Sequence, residues 1–230
     1  MTRRAVLTAL AAVALTTHAR AAESTCYGTV AKGRLEGGVR LPPSGANFSA
    51  YSSIGAAAGR TYVHSKVRDV VVAAYEALEK SAPSKVFVYG ETGWAGGGRI
   101  RPHRTHENGL SVDFFVPVTD ASGASVPIPG GVTNRFGYDI EFDAHGRFEG
   151  YTIDFAAIGA HLVELQRAAQ ARGVGIALVI FDPPYQPLLF ATEHGPFLRD
   201  TFTFMKKPAW VRHDEHYHVD FAAPCKPLAP

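Results

Sequence analysis

Two short stretches in distant parts of this chain restrict its folding more than anything else in it. The first, Arg101–Phe115, carries His103, His106 and Asp113 in the spacing H-x-x-H-x-x-x-x-x-x-D. The second, His213–Asp220, reads H-D-E-H-Y-H-V-D. Any fold must place these histidines and carboxylates among apolar neighbours such as Phe114, Phe115 and Phe221. A carboxylate beside such residues is costly to bury unless it is paired or bound to a metal. A catalytic zinc takes three protein ligands from His, Asp, Glu or Cys and keeps a further position for water. The expectation is that the two stretches meet in space and hold one zinc ion.

Local periodicity supports the meeting. Tyr217, Val219 and Phe221 alternate with His216, His218 and Asp220, a strand pattern. Residues i and i+2 share a strand face, so His216 and His218 point the same way. Ser111–Val118 reads as a second strand, with Val112, Phe114 and Val116 on one face and Asp113 on the other. Asn108-Gly109 marks a turn before it, which puts His106 in a loop. The same alternation puts Glu215 on the face opposite His216 and His218.

Four segments carry a family resemblance: Gly33–Pro42, Gly97–His103, His106–Asp113 and His213–His218. With H-x-x-x-x-x-x-D followed by H-x-H, they make the chain resemble the penicillin-insensitive murein endopeptidases. These lie within the lysostaphin, D-Ala-D-Ala metallopeptidase and hedgehog-type fold group. The resemblance implies that His106, Asp113 and His218 hold one zinc per chain, in a groove on the sheet. His216, beside the metal water, is assigned as general base and transition-state stabiliser. Glu215 ranks second, because related D-Ala-D-Ala dipeptidases carry a catalytic Glu three residues before the last ligand. His103 and His213 are assigned to the groove flanks, binding substrate or orienting ligands, and Asp220 or Asp214 to the support of a ligating histidine.

The reaction implied by the resemblance is hydrolysis of the D-alanyl–meso-diaminopimelyl cross-link of peptidoglycan, in the periplasm, with stem peptides as the partner. The chain has no G-x-S-x-G and no S-x-x-K. Without an acylatable serine, a β-lactam has nothing to trap. The alternatives are a zinc D,D-carboxypeptidase or dipeptidase on uncross-linked stems, a non-catalytic wall-binding module, and a metal-storage protein. The filled ligand positions speak against the module, and a carboxylate in the ligand set speaks against storage.

The rest of the chain frames this site. Residues 1–21 read as a signal peptide: Arg3 and Arg4, the apolar run Ala5–Thr16, then Ala19-Arg20-Ala21. Residues 22–230 are expected to form a single zinc metallopeptidase domain. Removing 1–21 leaves 20 basic against 21 acidic residues, a formal charge of −1. That balance argues against nucleic acid as a partner. No later apolar run suits a membrane anchor. Cys26 and Cys225, an even pair in an exported chain, are expected to form a disulfide.

Ser65–Lys80 has an i, i+3, i+4 stripe from Val67 to Leu78, and Asp154 caps a second helix that ends near Arg172, with Gly173 as its stop. His64 reads as a surface or capping residue and His161 as structural. Tyr27–Ala58 reads as loops and short strand pieces, Ile176–Phe181 as a buried strand, and Tyr185–Met205 as partly helical. The glycine-rich run Gly90–Arg99, around Trp94, reads either as one wall of the cleft or as a plain loop. Asp143 and His145 read either as a second metal site or as an Asx turn. The fold class expected is α+β, a small and mainly antiparallel sheet with flanking helices.

Overall fold

The computed structural model describes residues 23–228, so the proposed signal peptide lies outside the described residues. The chain opens with an antiparallel hairpin of β1 (Thr25–Thr29) and β2 (Lys32–Glu36). Then come β3 (Phe48–Ala50), α1 (Ser65–Ser81), β4 (Phe87–Tyr89) and β5 (Ser111–Phe115). The last third holds α2 (Phe155–Gln170), β6 (Gly175–Ile180) and β7 (His216–Ala222). The central sheet has the order β6–β7–β5–β4–β3, and every pairing is antiparallel except β3 with β4. A second, four-stranded antiparallel sheet joins Val118–Thr119, Ser125–Val126, Arg147–Phe148 and Tyr151–Ile153. The α+β class expected from the sequence is the one observed.

The two faces of the central sheet differ in chemistry because the strand period is two. One face carries Val112, Phe114, Tyr217 and Val219, all buried, and the helices cover it. The α1 stripe Val67, Val70, Val71, Ala74, Tyr75 and Leu78 is buried throughout. His161, on α2, stacks on Tyr75 with ring centroids 5.0 Å apart, and its Nδ1 meets the Tyr217 hydroxyl. It is a core residue, as expected. His64 is the α1 cap, its Nδ1 accepting from Lys66 N, but it is buried rather than on the surface. Asp154 caps α2 by accepting from Ala157 N. Cys26 and Cys225 are joined, closing a sequence separation of 199 residues.

Several boundaries differ from the sequence reading. The run Ser111–Val118 is not one strand: β5 stops at Phe115, and Val118 pairs in the second sheet. Helix α2 ends at Gln170, two residues short of Arg172, with Gly173 beyond it at φ +64°. Strand β6 lies at the sheet edge and exposes Ala177, so it is only partly buried. Within Tyr27–Ala58 a short helix, Ser53–Ala57, is capped by Ser52 Oγ. Five residues are too few to show a helical period.

Candidate metal centre and groove

The second face of the sheet carries the polar cluster. Strands β5 and β7 pair so that Ser111 lies opposite Asp220, Asp113 opposite His218, and Phe115 opposite His216. The two distant stretches thus become cross-strand neighbours, the closest side-chain relation a sheet offers. Asp113 is the hub, fully buried. Its Oδ1 lies 2.8 Å from His218 Nδ1 and 3.2 Å from His106 Nε2. Its Oδ2 lies 3.6 Å from His103 Nδ1 and 3.8 Å from His216 Nε2, and accepts from Tyr138 Oη at 3.2 Å.

His106 arrives from the loop before β5 with φ +70°, a left-handed conformation that a non-glycine residue adopts only under constraint. The constraint comes from Glu107 N donating to Val30 O and His106 Nδ1 donating to Thr92 O, 3.1 Å. Two glycines of the run Gly90–Arg99 make room for the site, Gly93 beside His106 and Gly90 beside Asp113. A Cβ on Gly93 would stand 2.9 Å from His106 O, and one on Gly90 would stand 2.9 Å from Asp113 Cβ. The run also supplies Glu91, which lines the groove, whereas Trp94 does not line it and instead lies under the Arg60 guanidinium at 5.0 Å. The expectation of a cleft wall therefore holds for Glu91 and fails for Trp94.

The electrostatics ask for a cation. Because His106 Nδ1 is the donor, its Nε2 lone pair faces the Asp113 carboxylate at 3.2 Å, buried and without a hydrogen-bond partner. Burial lowers the His106 pKa, against the pull of the Asp113 carboxylate beside it. Burial would raise the Asp113 pKa, but His106, His216 and His103 hold it well below the usual carboxylate range. Burial likewise opposes charge on His218, yet Asp220 and Asp113 draw its pKa up to about 10.

Zinc fits this donor set. Bonds of about 2.0–2.2 Å in a tetrahedron space ligand atoms roughly 3.3 Å apart, near the separations around Asp113 Oδ1. Asp113 Oδ1 thus stands between His106 Nε2 and His218 Nδ1. His103, His106 and Asp113 also offer ligand atoms within 4.8 Å of one another, although His103 Nε2 is held 2.7 Å from Glu91 Oε2.

The remaining candidates take distinct places. Asp220 Oδ1 lies 2.7 Å from His218 Nε2 and accepts from Ser111 Oγ, the support expected for a ligating histidine. Asp214 gives no such support, since it accepts from Phe142 N and faces Arg212. His213 lines the groove with its ring 4.5 Å from that of His216, and burial lowers its pKa to about 3. Glu215 is not turned away from His216. Its Oε1 lies 2.8 Å from His216 Nδ1, because β7 begins only at His216 and strand alternation does not reach residue 215. Burial raises the Glu215 pKa well above normal and lowers that of His216 to about 4. Asp143 is exposed and caps a turn, accepting from His145 N and Arg147 N.

Three residues at the site were absent from the sequence reading. Tyr138 bridges Asp113 Oδ2 and Glu91 N. Glu91 joins His103 to Arg60, and these two override the effect of burial to bring its pKa to about 2. Arg60 supports both Glu91 and the main chain at Arg101. Only the glycine-rich run around Glu91 gave any sign of such a role. Over the cluster runs a groove of about 620 Å³, lined among others by Tyr51, Phe136, Trp210 and His216.

A cation-seeking His/Asp cluster at the foot of an open groove is the arrangement on which a metallohydrolase operates. The family model described as penicillin-insensitive murein endopeptidase matches residues 26–128. That span contains His103, His106 and Asp113, and it supports the family that the sequence resembles; His213, His216 and His218 lie beyond it. No curated protein matches the chain.

Proposed function

We propose that the protein is a zinc-dependent peptidoglycan endopeptidase that hydrolyses the D-alanyl–meso-diaminopimelyl cross-link between stem peptides. The family match supports the coarser reading, a hydrolase of peptide bonds in murein. In the proposal, residues 22–230 make up one peptidase domain, delivered outside the cytoplasm by residues 1–21. No described helix is long and apolar enough to cross a membrane. The observation that carries the reading is the bare, buried His106 Nε2 facing Asp113 Oδ1 at 3.2 Å, a contact that a cation would turn from repulsive to attractive.

His106, Asp113 and His218 are the ligands proposed. When bound, a zinc ion supplies Lewis-acid polarisation of the scissile carbonyl and acidifies water. The protein's own groups do the rest. Glu215 Oε1, 2.8 Å from His216 Nδ1, is placed to accept from that nitrogen and orient the ring. His216 Nε2 is then free, on the groove side, to take a proton from the attacking water and to return it to the leaving amine. Asp220 holds the His218 ring, and Glu91 holds His103 at the groove edge.

The test is mass spectrometry of cross-linked muropeptide dimers incubated with the protein lacking residues 1–21. Dimers should become monomers, the conversion should stop with chelator, and zinc should restore it. Loss of terminal D-alanine from intact dimers would instead indicate a carboxypeptidase, and unchanged dimers with zinc bound would end the catalytic reading.

A further inference from the structure

The guanidinium groups around the groove are not equivalent. Arg60 is bound to Glu91, Arg135 lies 3.2 Å from Asp139, and Arg212 bridges Glu141 and Asp182 at 2.9 Å each. The lining acids are satisfied by the same contacts, and Glu215 is turned onto His216. Arg101 lines the same groove, is exposed, and makes no ion pair with any described residue.

Its backbone is nonetheless fixed. Arg60 Nη2 donates to Arg101 O at 2.9 Å while also gripping Glu91, and Glu91 holds His103 two residues further on. The main chain that carries this cationic side chain is thus fixed two residues from His103, which lies 3.6 Å from Asp113, and the charge has no ion-pair partner among the described residues.

We propose that Arg101 is a specificity-determining residue that binds a free carboxylate of the peptide substrate, close to the scissile amide. The inference rests on the peptidase reading and names the substrate feature recognised at that site. The planar guanidinium fork matches a carboxylate through two parallel hydrogen bonds, which a lysine cannot reproduce. A meso-diaminopimelyl cross-link presents such a group, because the carbon bearing the scissile nitrogen also bears a carboxylate. Amidation of that carboxylate removes the charge and one acceptor oxygen while leaving the scissile bond intact.

The experiment uses two cross-linked stem-peptide dimers, identical except that this carboxylate is free or amidated. Binding is measured by calorimetry and hydrolysis by chromatography, for the wild type, Arg101→Ala, Arg101→Lys and Arg99→Ala. Arg99 is an exposed neighbour that does not line the groove.

The wild type should favour the free carboxylate by about 10- to 100-fold. Arg101→Ala should reduce the preference below about threefold with metal content unchanged, Arg101→Lys should keep part of it, and Arg99→Ala all of it. A preference that survives in Arg101→Ala, or a wild type that shows none or binds neither dimer, overturns the proposal. Preferential binding without cleavage would retain Arg101 and discard the endopeptidase reading, whereas equal cleavage of both dimers would do the reverse.

Discussion

Removing the disulfide tests how this fold keeps its ends together. The perturbation is the double variant Cys26→Ser, Cys225→Ser, which opens a closure of 199 residues. In the loop-entropy model a closure of that length is worth about 5 kcal/mol, all of it through the unfolded chain. Domains commonly have about 5–15 kcal/mol of stability, so a large fraction would go. At this chain length the expected fall in Tm is roughly 10–20 °C. The folded geometry should survive, because Gly28 N donates to Lys226 O and Lys226 N to Cys26 O at 2.9 Å each without help from the sulfurs. The Cys225 sulfur also accepts from Asn108 Nδ2, two residues beyond His106. Metal stoichiometry of the still-folded variant therefore reports whether this contact matters to the His106 loop, and it should stay at one per chain. The assay is urea unfolding of the oxidised wild type and the variant, alongside metal analysis. A loss under about 1 kcal/mol would refute the reasoning and show that the unfolded chain gains little freedom when the link is cut.

Other outcomes can be stated alongside. His218→Ala should abolish stoichiometric zinc in metal analysis while His103→Ala keeps it; the opposite result would transfer the third ligand to His103. His216→Ala should lower the hydrolysis rate by about 10²–10⁴ with zinc retained, and Glu215→Gln by less; activity kept in the first and lost in the second would reverse their roles. Asp220→Asn should weaken zinc binding by about 10- to 100-fold in competition titrations. Glu91 has a pKa brought down from 4.5 to about 2, so its stabilisation is complete above pH 4.5 and lost as pH falls towards 2. In urea unfolding of metal-free protein, the wild type's advantage over Glu91→Gln should therefore shrink across that interval, and a constant difference would contradict the ion-pair account.

The site was legible where one strand period governed it. Alternation put His216 and His218 on one face and Asp113 opposite its apolar neighbours, and β5 and β7 carry those sides as read. Alternation failed at Glu215, one residue before the strand begins, where the chain is free to turn its side chain towards His216. Tyr138 and Arg60 were invisible because no local pattern marks them: each matters only through contacts made across the fold. Helices α1 and α2 were legible from their stripes and caps, whereas Ser53–Ala57 was too short to show one. Pairing of Asp113 with His218 is a matter of strand register, which neither strand encodes by itself.

That register ties chemistry to the completion of folding. The ladder from Ser111–Asp220 to Phe115–His216 forms only when segments a hundred-odd positions apart have closed on one another, and a slip by one residue would set Tyr217 or Val219 against Asp113. A nascent, misaligned or partly opened chain has the same histidines but not their constellation. The cross-strand part of the cluster therefore exists only in the finished fold, and no local segment of the polypeptide carries it alone.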